Sequence, residues 1–156
     1  MKLRTVLDEA AHGAGIAPAS GGAGWTLLWR TTAAGEGSAC LATADLDGDG
    51  RPEVVLSSFH RRSGGRVAAL DGRSGRVLWT RPAGFPPALA VDLDGDGVDE
   101  VVAASGEGLA VISGRDGAVV DSVATDGPPG DLVAGDLSGD GLRAIACASG
   151  TERDDK

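Results

Sequence analysis

The sequence contains no tyrosine, only two phenylalanines, one methionine and two cysteines among its 156 residues. Two cysteines are too few for a disulfide framework. Cys40 and Cys147 lie in the apolar, strand-like stretches SACLATADL and AIACASG, which predicts buried free thiols. No apolar run approaches the roughly 20 residues of a membrane-spanning helix. The opening MKLRTVLDEAAHG meets Asp8 and Glu9 before an apolar stretch develops, so no signal peptide is expected. No G-x-S-x-G, phosphate-binding loop or Cys/His pairing is found, and catalysis has no evident residues to carry it. Clustered Lys and Arg are also lacking, which excludes the electrostatic footprint of a nucleic-acid binder.

Acid and glycine are abundant. The net charge is -9, and three nine-residue windows (45–53, 92–100 and 136–144) hold eleven acidic residues against two arginines, while the other twelve acids and twelve bases cancel. A charge excess so local argues against a generally acidic surface or a disordered acidic tail. Twenty-six glycines, seven prolines and few helix-forming runs predict short strands joined by turns.

The windows belong to a repeat. LATADLDGDGRPEVVLSS, LAVDLDGDGVDEVVAAS and LVAGDLSGDGLRAIACAS align, and their first aspartates, Asp45, Asp92 and Asp136, are 47 and 44 residues apart. A unit of about 45 residues is the size of a β-propeller blade. The first unit (40–81) reads as strands Cys40–Ala44, Glu53–Ser58, Arg66–Leu70 and Arg76–Arg81. The second (87–125) reads as Ala88–Val91, Glu100–Ser105, Leu109–Ser113 and Ala118–Val123. A half-unit (131–149) begins at Asp131 and ends with Ala144–Ser149, and Gly24–Thr31 reads as the closing strand of a preceding unit. Residues 1–23 read as a flexible segment and 150–156 as a polar tail. The expected fold is all-β: four-stranded antiparallel meanders, about two and a half blades, forming an incomplete propeller across 24–149. Propellers close with about four to eight blades, so further blades or self-association are expected partners.

Aspartates at alternate positions with glycine between them are costly neighbours. At about 5 Å and an effective dielectric of about 20, each like-charged pair costs roughly 3 kcal/mol. A hard cation with six or more oxygen ligands offsets this. The candidate ligands in the first loop are the carboxylates of Asp45, Asp47, Asp49 and Glu53 with the backbone carbonyl of Arg51. In the second they are Asp92, Asp94, Asp96 and Glu100 with the carbonyl of Val98. An EF-hand is excluded because its twelfth loop position requires a glutamate, and those positions are Leu56 and Ala103, with strand-like flanks. Magnesium suits so protein-rich an oxygen cage less well than calcium. In the third window Ser138 and Ala144 replace two ligands, leaving Asp136 and Asp140 to form a weak or empty site.

The motif D-x-D-x-D-G-x-x-[DE] between the first two strands of such a repeat resembles the FG-GAP or VCBS family, the calcium-binding blades of integrin-α-like propellers. The resemblance implies two structural calcium ions and a binding or adhesion module for protein or carbohydrate, with an extracellular or cell-surface setting. ALDGRSGRVLW, with Ala69, Asp71, Gly75 and Trp79, is similar to the tryptophan-docking motif of quinoprotein-like propellers, and one copy is evident. The alternative reading is a fragment of a propeller-based enzyme, such as a rhamnogalacturonan-type polysaccharide lyase or a quinoprotein dehydrogenase. Trp25, Trp29 and Trp79 are expected to pack between blades, and His60, Arg61 and Arg62 to form a solvated polar loop rather than an anion site. His12, in the flexible start, has no assigned role.

Overall fold

The computed structural model describes residues 20–21, 25–26, 28–33, 38–62, 64–84, 88–106 and 108–149, and the remainder of the chain, His12 and the 150–156 tail included, lies outside the described residues. These residues form β-strands and turns without a helix. Among the described residues the strands are β1 (Ser20–Gly21), β2 (Trp25–Thr26), β3 (Ser38–Ala44), β4 (Glu53–His60), β5 (Gly64–Leu70), β6 (Val77–Ala83), β7 (Ala88–Val91), β8 (Glu100–Ser105), β9 (Gly108–Ile112), β10 (Val119–Ala124), β11 (Pro129–Gly135) and β12 (Ala144–Ser149).

Strands β3-β4-β5-β6 form sheet 1 and β7-β8-β9-β10 form sheet 2, each in sequence order and antiparallel. Sheet 3 is the pair β11-β12, β1 pairs separately with β2, and none of the sheets closes on itself. The expected boundaries of β7, β8 and β12 are reproduced to the residue. Strand β4 runs on to His60 because Phe59 and His60 still find partners in Gly65 and Gly64.

Successive side chains of a strand point to opposite faces, and both faces are covered at the centres of sheets 1 and 2. From sheet 1, Ala44, Val55, Val67, Ala69 and Trp79 meet Val101, Ala103 and Ile112 of sheet 2 in one core, which Leu46 completes. The opposite face of sheet 1 carries Leu56 and Leu70 against Ala33 and Val54. The first strands of the sheets neighbour one another, β3 beside β7 and β7 beside β11.

Two expectations need correction. Cys40 is exposed, not buried, because it lies near the start of edge strand β3; Cys147 is partly buried, and both thiols are free. Among the described residues of the closing strand predicted over 24–31, 28–31 are irregular and Trp25 and Thr26 form a strand. Its partner is Ser20–Gly21, two residues of the segment read as flexible, in the register Ser20 with Thr26 and Gly21 with Trp25.

Trp29 nevertheless has a defined seat. Its Nε1–H donates to the Gly72 carbonyl at 2.8 Å, and a Cβ on Gly75 would lie 2.5 Å from its ring. Trp79 repeats the arrangement one sheet further on, donating to the Gly114 carbonyl at 2.7 Å and covering Gly117. Gly75 and Gly117 both have positive φ, 69° and 73°, so each glycine is required by its backbone and by the indole against it. The same indole contact therefore occurs twice among the described residues, at Trp29 and at Trp79.

Candidate metal centre

The loops between β3 and β4, between β7 and β8, and between β11 and β12 share one backbone scaffold. In the first, Asp45 accepts from Gly48 N–H and Gly50 N–H, both at 2.8 Å, through its two carboxylate oxygens. Asp47 accepts from Asp49 N–H at 3.0 Å and Asp49 from Arg51 N–H at 2.8 Å. Glu53, at the head of β4, accepts from Leu46 N–H at 3.0 Å. In the second loop Asp92 accepts from Gly95 and Gly97 (2.7 and 3.0 Å), Asp94 from Asp96 (3.0 Å), Asp96 from Val98 (2.8 Å) and Glu100 from Leu93 (3.0 Å). The glycines turn the chain with φ of 82° and 78° in the first loop and 81° and 84° in the second.

These turns gather the acids. Carboxylate oxygens of Asp45, Asp47 and Glu53 lie within 4.8 Å of one another, as do those of Asp92, Asp94 and Asp96. Each group could hold a metal ion, and an all-oxygen donor set suits a hard cation. Of the expected ligands, Asp49 stands outside the first triad with its free oxygen 3.6 Å from Arg51, and Glu100 stands outside the second. Arg51 and Val98 contribute backbone N–H groups to the turns.

The electrostatics register the crowding. Burial, reinforced by Asp47, Asp49 and Asp45, raises Glu53 above the ordinary carboxylate range despite the Leu46 N–H. Glu100 is raised in the same way, by burial and then by Asp94, Asp96 and Asp92. In the third loop the hydrogen bonds of Gly141 and Gly139 hold Asp136 below its ordinary value, and that of Leu142 does the same for Asp140.

Two residues that the repeat pattern did not reveal brace the first loop. Asp99 accepts from Asp45 N–H at 2.9 Å through its carboxylate, and its own N–H donates to the Asp45 carbonyl at 2.8 Å. Arg115, in the β9–β10 turn, reaches Asp96 at 3.3 Å and the Asp47 carbonyl at 3.5 Å. The signal for Asp99 was the eighth window position, where the first unit has Pro52 and the third Arg143. Nothing local marks Arg115. The His60 loop is partly exposed to exposed, with Arg62 N–H on His60 Nδ1 at 3.3 Å.

Comparison with protein-family models, with curated proteins and with solved structures finds no match to the chain.

Proposed function

We propose that the chain is a calcium-binding β-propeller repeat module in which the ions are structural and the assembled sheets bind a protein or carbohydrate ligand. The observation that carries this reading is the duplicated acidic loop: two triads on one scaffold, each between the first and second strands of its sheet. Neighbouring first strands and the repeated tryptophan seats support a radial arrangement of the sheets as blades. Calcium fits better than magnesium because flexible carboxylate cages match its higher coordination number.

The ion's role is mechanical. A bound ion would join the turn to Glu53 at the head of β4 and offset the burial, and after it the aspartate repulsion, that raise Glu53. The test is thermal unfolding in calcium, in magnesium and in excess chelator. Calcium is expected to raise the melting temperature well above both other conditions; equal melting in calcium and chelator would contradict the reading.

A further inference from the structure

We infer that Arg115 is a tethered counter-cation of the second acidic loop: its guanidinium holds a carboxylate oxygen of the Asp92, Asp94 and Asp96 triad, an arriving metal ion must displace it, and it thereby sets that loop's affinity. This deepens the proposed function and rests on its reading of the triads as cation sites.

The first observation is which oxygens the loop leaves for an ion. Asp92 spends Oδ1 on Gly95 N–H and Oδ2 on Gly97 N–H, and Asp94 spends Oδ1 on Asp96 N–H. Asp96 accepts from Val98 N–H through Oδ1, which leaves Oδ2 outside the turn's own hydrogen bonds. Arg115 takes that oxygen, with a guanidinium nitrogen 3.3 Å away. A guanidinium brings positive charge and N–H donors to a carboxylate, so it already answers part of the crowding that a metal ion would answer. The first loop differs. The matching oxygen of Asp49 lies 3.6 Å from Arg51, but Asp49 stands outside its triad, whereas Asp96 belongs to the second.

The second observation is that Arg115 is held from behind. Its turn, between β9 and β10, is closed by Ser113 N–H on the Ala118 carbonyl at 2.8 Å and Gly117 N–H on the Ser113 carbonyl at 3.0 Å. Trp79 donates to the Gly114 carbonyl, and a Cβ on Gly114 would collide with the Asp99 carbonyl oxygen. From this fixed base the other terminal guanidinium nitrogen reaches the Asp47 carbonyl of the first loop at 3.5 Å. That contact keeps the charge nearby once Asp96 is given up.

The Arg115 and Asp96 side chains are 57% and 47% exposed, so their pair is weak and screened by salt. A divalent ion with several oxygen ligands can displace it, at a cost in affinity.

Calorimetric titration with calcium of the Asp47→Ala chain, in which the second loop alone is expected to bind, tests the inference. Adding Arg115→Gln to that parent should tighten binding about three- to tenfold at low ionic strength, with the gain shrinking as salt rises. Arg115→Lys keeps the charge and should bind nearly as the parent does. In chelator the Arg115→Gln chain should melt below its parent, and saturating calcium should close that gap. Unchanged or weaker calcium binding in Arg115→Gln, an equal gain in Arg115→Lys, or a melting deficit of the same size in calcium and in chelator would overturn the inference and leave the metal reading standing. A parent that binds no calcium also overturns it, and the metal reading falls with it only if the wild type binds none.

Discussion

The first and third acidic loops have the same backbone and different surroundings. Asp136 accepts from Gly139 and Gly141 at 2.6 and 2.9 Å, and Asp140 from Leu142 at 2.9 Å, as Asp45 and Asp49 do in their loop. The glycine φ values, 76° and 86°, also match. The third loop keeps this shape with Ser138 and Ala144 in place of Asp47 and Glu53. Shape therefore comes from the first and fifth positions with the glycines, whereas both groups that could hold a metal ion also need the third, Asp47 and Asp94. The loops also differ in what lies against them. Leu46 is 1% exposed and packs near Gly114, and Val98 is 3% exposed against Gly48, whereas Leu137 and Leu142 are 61% and 69% exposed. The first loop is sealed by residues of the following sheet and its loop.

The widest gap between the two ends should appear on truncation. Leu46→Ala is expected to cost about 2–5 kcal/mol through lost burial and a cavity. Leu137→Ala, at a side chain 61% exposed, should cost less than about 0.5 kcal/mol. Denaturant unfolding of both variants checks this.

Calcium sharpens the contrast next. At a hundredfold excess over the dissociation constant each occupied site contributes about 2.7 kcal/mol, because the unfolded chain lacks the site. Chelator should remove that contribution from the wild type, and from Asp47→Ala only the share of the second loop. Unfolding with and without chelator gives the difference.

Asp99→Ala is expected to cost about 1–3 kcal/mol, since the partly buried Asp45 N–H loses its acceptor. Arg143→Ala, at the same position of the third window, should cost little. Chemical denaturation of the two variants compares a braced loop with an open one.

The smallest effect is pH-dependent. The Ser74 hydroxyl, with the Ser74 and Arg73 N–H groups and the Arg76 charge, holds Asp71 below its ordinary value. A carboxyl whose folded pKa lies below its unfolded value stabilises above the unfolded value, near 3.9, and loses that stabilisation as pH falls through the folded one. Asp71→Asn should therefore be slightly less stable than wild type at neutral pH, with the gap closing in acid. Melting curves across acid pH follow it.

Much of the architecture was legible because glycine and aspartate punctuate each turn and apolar residues fill each strand. Ala88–Val91, Glu100–Ser105 and Ala144–Ser149 could be bounded from sequence for this reason. The acidic triads were legible through their two-residue spacing, which turns alternate carboxylates to one side of a tight loop. The Asp99–Asp45 clasp joins residues 54 apart on adjacent units, and no periodicity encodes it. The exposure of Cys40 depends on its place near the start of an edge strand, and the second tryptophan seat depends on Trp29 meeting a turn 43 residues away. Both follow from how the sheets stack, not from the composition of a strand.

Calorimetric titration with calcium tests the separation of scaffold from ligands most directly. Two ions per chain are expected for the wild type and for Asp140→Ala, and one each for Asp47→Ala and Asp94→Ala. Three equivalent ions, or none, would contradict it.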